Sequence, residues 1–294
     1  MRGYSLLRTL IQSSVLATGL LVSCITHAQF ATVDWTIAET LVAIDAPISG
    51  VAQQQDYYDW VGEPHIPENA TDLGLRTQPN FELLAQLAPE QILISPMFAA
   101  LTPRLERIAP VTSLALYSPG ANTWQEIQML TRQLGEITNR SAQAEQLIDD
   151  TQALMDSLRE AQPDTAPLLM VQFMDARHVR VFGENSLYNA VLEQLGLANA
   201  WDQPTNAWGF ALTGIEVLAR YPEARLVIID PLPMGVEEQL EKSGLWQKLA
   251  IVQSGNLLRL PPVWSFGALP SAQRFARVLT AGLKEASPSG QPDD

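Results

Sequence analysis

Short apolar runs and one-sided amphipathic stretches take turns along the chain from residue 29 onward. ISGVA (48–52), QILIS (91–95) and VTSLALY (111–117) read as buried strands, and TDLG (71–74) as a strand end before a turn. Between them, TIAETLVAI (36–44), TQPNFELLAQL (77–87) and LTPRLERIA (101–109) read as helices. In TQPNFELLAQL, Thr77 is the expected N-cap, Pro79 sits in the first turn, and Phe81, Leu83, Leu84 and Leu87 form the apolar face. From Ser141 to Ala161, Ala144, Leu147, Ile148, Thr151, Leu154, Met155 and Leu158 recur at spacings of three and four. That pattern predicts a helix of about twenty residues, long enough at ~1.5 Å per residue to run the height of a domain. Pro163 and Pro167 close it. Alternation then resumes with LLMVQF, HVRVFG, a helix at 186–195, a helix in TGIEVLARY, the strand RLVIID, and a last helix at 271–284.

Alternating strands and helices of this size imply parallel β-α-β units with helices on both faces of the sheet. The fold class expected is α/β: two lobes, each a mainly parallel sheet with flanking helices, joined by one long helix. The divisions are a leader at 1–28, an N-terminal lobe at 29–139, a bridging helix at 140–163, a C-terminal lobe at 164–286 and a disordered polar tail at 287–294. No internal repeat at solenoid spacing is present.

The first residues set the compartment. Arg2 and Arg8 precede an apolar run from Leu10 to Ile25, which Gln12, Ser13 and Ser14 interrupt, and Thr26-His27-Ala28 offers a small-x-small cleavage site. Export to the periplasm with cleavage after Ala28 is expected. Leu21-Val22-Ser23-Cys24 also resembles a lipobox, so lipid anchoring through Cys24 is the alternative. With a single cysteine there is no disulfide framework, and a chain of 294 residues must rely on core burial. Removing residues 1–28, which carry Arg2 and Arg8 and no acid, takes the formal net charge from -14 to -16. An acidic chain of this kind lacks a nucleic-acid footprint and suits a soluble exported protein, expected to be a monomer.

Histidine is the strongest exclusion. Beyond the leader only His65 and His178 remain, too few for a nitrogen-rich or sulfur-rich metal site. A hydrolase using His178 is a rival reading, but no G-x-S-x-G elbow is present. Nucleotide-binding glycine loops are absent, and the carboxylate pairs Glu237-Glu238 and Asp149-Asp150 fall on helical faces as solvated charge.

Four tryptophans stand in breaker-rich stretches: Trp60 in DWVGEP, Trp201 in NAWDQP, Trp208 in NAWGF and Trp264 in PPVWSFG. Each is either a plug between sheet and helix or part of a shared aromatic cavity for a bulky, partly apolar ligand. Arg76, in LGLRTQP, lies where the C-terminal edge of a parallel sheet opens a crevice, and its planar fork of donors suits paired oxygens.

These residues carry a resemblance. Through DWVGEPHIPENATDLGLRTQPNFELL, DARHVRVFGENSLYNAVLEQLGLANAWDQPTNAWGF and LPPVWSFGA, the chain resembles the periplasmic binding proteins that deliver ferric hydroxamate siderophores to an ABC importer. These belong to the class whose two lobes are bridged by one long helix. The resemblance implies a non-enzymatic protein with a shallow aromatic cleft and little hinge motion. It implies no cofactor and no protein metal ligand, because iron arrives already wrapped by its siderophore. It makes Arg76 the donor to the hydroxamate oxygens and puts Trp60, Phe98, Trp208, Trp264 and Phe266 around the ligand, with Trp201 in support. Phe98 and Phe266 stand where the family pattern has tyrosine. Linear or citrate-based hydroxamates are therefore as consistent as ferrichrome types, and cobalamin or heme is the alternative ligand. The expected partner is an inner-membrane permease, met through acidic side chains at the lobe tips, with Glu106, Glu237 and Glu238 as candidates by placement.

Overall fold

The computed structural model describes residues 29–118 and 120–286, so the expected leader with Cys24 and the expected tail lie outside the described residues. In chain order the first lobe runs β1 (Phe30–Thr32), α1 (Trp35–Ala43), β2 (Ile48–Val51), α2 (Gln54–Trp60), β3 (Thr71–Asp72), β4 (Gly74–Leu75), β5 (Gln78–Pro79), α3 (Phe81–Leu87), β6 (Gln91–Ile94), α4 (Thr102–Leu105), β7 (Val111–Ser113) and α5 (Thr123–Ile137). A 3-10 segment, Pro96–Leu101, leads into α4. The sheet order is β3-β2-β1-β6-β7 and every pair is parallel. Strands β1 and β2 are buried throughout, as expected where helices cover both faces.

Two assignments made from the pattern change here. Thr77 does not cap a helix, because Gly74 and Leu75 pair back on Pro79 and Gln78, leaving Arg76 and Thr77 as a two-residue turn. The cap passes to Asn80, whose side chain accepts the Leu83 N–H at 3.0 Å while its own N–H donates to Leu73 O. Strand β7 stops at Ser113, so Leu114 to Tyr117 leave the sheet at its C-terminal edge.

Helix α6 (Ser141–Glu160) follows α5, and its buried residues Ala144, Ile148, Thr151 and Met155 repeat at four, three and four. The second lobe then runs β8 (Leu168–Phe173), β9 (His178–Phe182), α7 (Leu187–Leu195), β10 (Phe210–Gly214), β11 (Arg225–Ile229), α8 (Val236–Lys242), α9 (Gly244–Lys248), α10 (Ala250–Gln253), β12 (Leu257–Leu260) and α11 (Leu269–Ala286). Its sheet, ordered β10-β9-β8-β11-β12, is mixed: β8, β11 and β12 are parallel, whereas β9 runs antiparallel to both β8 and β10. The expectation of a mainly parallel sheet fails at that edge for a geometric reason. The link from β8 to β9 is a tight turn in which the Asp175 side chain accepts the N–H groups of Arg177 and His178, and a parallel crossover needs a dozen or more residues. The stretch TGIEVLARY is also not one helix: Thr213 and Gly214 pair with Val179 and His178, and only a 3-10 segment, Ile215–Arg220, follows.

The largest hydrophobic core lies across the lobe junction rather than inside either lobe. Trp35, Trp124 and Leu134 from the first lobe share it with Met155 of α6 and with Tyr188 and Phe275 of the second. Smaller cores fill the outer side of each sheet. Five hydrogen bonds tie residues 264–271 to the first lobe at the same junction. Thr36 Oγ1 donates to Phe266 O at 2.8 Å and accepts from Trp264 Nε1 at 3.1 Å. Tyr117 Oη donates to Gly267 O at 2.8 Å, and the Ala268 N–H donates to Glu39 Oε1 at 2.6 Å. Ser271 Oγ donates to the other oxygen of Glu39, a fully buried side chain on α1.

The start of α11 is favourable ground for a carboxylate, yet burial outweighs it and pushes the Glu39 carboxyl up to about 8. Between its ordinary 4.5 and that value the folded chain holds a proton that the unfolded chain has released, so stability falls as pH rises through the window. Glu39→Gln keeps an acceptor for Ala268 and supplies a donor to Ser271. It should stabilise the protein at pH 8 by on the order of 2 kcal/mol, a gain that shrinks toward pH 5. Urea midpoints across that range check this, and parallel profiles for the two proteins would refute it. Phe275 is fully buried with its ring centroid 4.5 Å from that of Tyr188. Phe275→Ala should cost ~3–5 kcal/mol of unfolding free energy by chemical denaturation.

Candidate functional site

The strand ends that face one another across the lobe junction build the site. Asp34, two residues after β1, caps α1 by accepting the Thr36 and Ile37 N–H groups, and Ser95, directly after β6, donates to its other oxygen at 2.5 Å. Leu114 to Ser118 follow β7. From the second lobe come Ala207 and Trp208, ahead of β10, and Trp264 and Phe266, between β12 and α11. These segments line a cleft of about 370 Å³ whose walls are chiefly apolar.

The aromatic rings hold one another. Trp264 and Phe266 meet edge to face at 5.2 Å, Trp208 meets Phe266 at 5.8 Å, and Tyr117 approaches both Trp208 and Phe266 at 6.4 Å. Burial pushes the Tyr117 phenol well above its ordinary value, so it stays a neutral donor to Gly267 O.

Arg76 enters this wall from the β4–β5 turn. Its guanidinium carbon stands 4.2 Å from the Trp35 ring centroid, 5.0 Å from Phe98 and 5.5 Å from Trp264. Nε donates to Val33 O at 3.1 Å, and among the described residues the terminal nitrogens have no protein acceptor. Burial lowers its pKa and Asp34 opposes that shift, but an arginine remains cationic under these influences. The result is a rigid cation with unused donors, stacked between aromatic faces beside the cleft.

Of the residues expected from the sequence, the structure brings Arg76, Trp208, Trp264 and Phe266 together at the cleft. Phe98 is buried behind Arg76 and supports the guanidinium; its exposed neighbour Met97 lines the cleft instead. Trp60 ends α2 and packs against the junction core, away from the lining. Trp201 is buried against Tyr221 at 5.6 Å and borders a separate polar hollow with Asn122, Glu184 and Asp202. Glu106 is exposed after α4, while Glu237 pairs with Arg259 at 2.8 Å and Glu238 pairs with Lys242. His178 stands on the surface beside Asp175 at 2.9 Å, outside the cleft.

Sequence reasoning missed Trp35, whose ring faces the Arg76 guanidinium and meets Trp264 edge to face, and missed Asp34 and Tyr117. The signal was available for Asp34, a helix cap two residues beyond a strand's C-terminal end. Tyr117 was hidden because VTSLALY reads as one continuous strand. Among the described residues no group of three or more His, Cys, Asp or Glu is placed to hold a metal ion, and no helix is long and apolar enough to cross a membrane.

Comparison with known proteins agrees with this architecture. The chain is 33% identical over 248 residues to the Iron(3+)-hydroxamate-binding protein FhuD of Escherichia coli (strain K12), covering 84% of this chain and 83% of that protein. Its fold superposes with TM-score 0.81 and 30% identity on the crystal structure of the Fe3+-Desferal-bound siderophore binding protein FhuD from Vibrio cholerae, covering 88% of this chain and 98% of that one. The periplasmic catecholate-siderophore binding protein VctP of Vibrio cholerae shares the fold at TM-score 0.64 and 16% identity, covering 88% and 94% of the two chains. The family model for the periplasmic binding protein matches residues 31–263. A junction core bridged by α6, a cleft at opposed strand ends and a match over nearly all the described residues together place this chain in the periplasmic binding protein family.

Proposed function

We propose that the cleft captures a ferric hydroxamate siderophore in the periplasm and presents it to an inner-membrane ABC permease. The observation that carries this reading is Arg76: a stacked cation with unused terminal donors in the wall of an apolar aromatic cleft. A hexadentate ferric complex is bulky and largely apolar at its rim, and it exposes iron-bound oxygens that carry partial negative charge. Aromatic faces take the rim, and a planar fork of donors takes the oxygens. Iron is cargo here, held by its own chelator. The relatives' printed roles, iron(3+)-hydroxamate binding and Desferal binding, support the same ligand class.

Members of this family are solute-binding proteins, and the site suits that role. The reading carries with it cleavage after Ala28, a monomer of two lobes divided at 140–163, and docking through exposed acids. Glu106, exposed and in no salt bridge among the described residues, is better placed for docking than Glu237 and Glu238, whose carboxylates already pair with Arg259 and Lys242.

Trp208 and Trp264 line the cleft, so ligand binding should quench tryptophan emission. Titration with ferrioxamine, ferrichrome, a ferric citrate hydroxamate, cobalamin and heme should give saturable quenching with the hydroxamates alone. Saturation by cobalamin or heme, with none by the hydroxamates, would overturn the assignment. Arg76→Ala should weaken hydroxamate binding by about 2 kcal/mol, roughly thirtyfold in Kd. An unchanged Kd removes Arg76 from the site.

A further inference from the structure

Behind the Phe266 ring of the cleft wall, the second lobe holds another arginine without an ionic partner. Arg180 lies on β9, where Val179 and Val181 point into the outer core and Phe182 points into the junction core. Strand alternation therefore sends Arg180 to the junction side. Its guanidinium carbon lies 4.9 Å from the Phe210 ring centroid and 5.6 Å from Phe266, the ring that lines the cleft. Among the described residues it makes no salt bridge and no side-chain hydrogen bond.

Three of the described arginines sit in salt bridges. Arg132 meets Glu145, Arg259 meets Asp230 and Glu237, and Arg274 meets Glu63. Of the described arginines with neither a salt bridge nor a side-chain hydrogen bond, Arg104, Arg107, Arg177 and Arg220 are exposed, whereas Arg180 is partly buried. A second observation comes from the neighbouring strand. Gln172, in register with Arg180 across the β8–β9 pair, is 1% exposed, and its Oε1 has no hydrogen-bond partner. Buried polar atoms are normally satisfied. On the other side, Leu212 of β10, also in register with Arg180, is 64% exposed. The row Gln172, Arg180, Leu212 thus passes from a buried amide oxygen that no donor meets, through an unpaired cation, to an open apolar edge.

We propose that Arg180 forms an anion subsite at the second-lobe edge of the cleft. It takes a free carboxylate of the ferric ligand while Arg76 takes the hydroxamate oxygens. The ligand class is then a hydroxamate complex that carries uncoordinated carboxylates, as citrate-based ones can. Two arginines bracketing the Trp264–Phe266 pair also answer an electrostatic requirement, because an anionic complex must approach a chain of formal net charge -14. The subsite rests on the siderophore reading of the cleft.

The test compares two probes by fluorescence titration: a ferric citrate dihydroxamate bearing free carboxylates, and ferrichrome, which has none. Arg180→Gln should lower the ratio of the first affinity to the second at least tenfold. Arg180→Lys, which keeps the charge but loses the planar fork, should lower it less. The preference of the unaltered protein for the carboxylate-bearing complex should weaken as salt rises. If both affinities fall together, or neither changes, the subsite is overturned while the siderophore reading stands. If the unaltered protein binds neither probe, that reading falls and the subsite falls with it. Thermal melting of each variant identifies one that fails to fold, and in that event the lysine variant's ratio decides alone.

Discussion

Burying Glu39 against the first turn of α11 is the constraint on which the rest of the geometry depends. A carboxyl group enclosed by apolar side chains is tolerable only where its oxygens find partners. Here they are the Ala268 N–H and the Ser271 hydroxyl, both at the start of a helix from the other lobe. Helix α1 can therefore meet α11 in one register only. One turn before Glu39, Thr36 then meets the Phe266 carbonyl and the Trp264 indole, and from β7 the Tyr117 hydroxyl reaches the Gly267 carbonyl. Replacing such a buried polar contact with apolar packing is often no loss in stability. What the contact supplies is alignment, since a slip of α1 would leave several buried polar groups unpaired at once.

That alignment makes the cleft a surface set in advance of binding. Segment 264–271 is gripped through its backbone and through the Trp264 indole, so Trp264 and Phe266 keep their positions without a ligand. Arg76 is held by Val33 O and by three rings, and so loses little side-chain freedom when it engages an oxygen. A continuous core across the junction opposes wide opening of the lobes. Affinity in such a site comes from low reorganisation rather than closure.

How much of this was legible depends on the range over which each feature is determined. Strands β2 and β6 and the α6 stripe are local patterns, apolar runs and spacings of three and four, and the structure has them where the pattern puts them, whereas the short central strand β1 gave no such run and β7 ends at Ser113 rather than Tyr117. The edges of elements are less local. Thr77 and Asn80 are both good caps, and only the pairing of Gly74 with Pro79 decides between them. Of the loop tryptophans, Trp208 and Trp264 face the cleft, whereas Trp60 closes a helix and Trp201 packs on Tyr221. Composition near a tryptophan reports loop context, but its facing partner is set by residues far along the chain. Trp35 was invisible for the same reason: it starts an ordinary amphipathic helix, and its role beside Arg76 arises from the β4–β5 turn.

The fold by itself does not select a ligand, because the scaffold fixes only where the strand ends meet. Selection falls to the few side chains that change the polarity of the cleft. Phenylalanine at 98 and 266 offers no hydroxyl, and the Tyr117 hydroxyl is already committed to Gly267 O. Asp34 is likewise committed, to the start of α1 and to Ser95. Directional polar recognition is thereby left chiefly to guanidinium groups, and guanidinium groups favour paired anionic oxygens over neutral carbonyls. A cleft in which the Tyr117, Ser95 and Trp264 donors are already engaged, and in which the Arg76 fork is still open, is matched to charge-bearing oxygens on an otherwise apolar ligand.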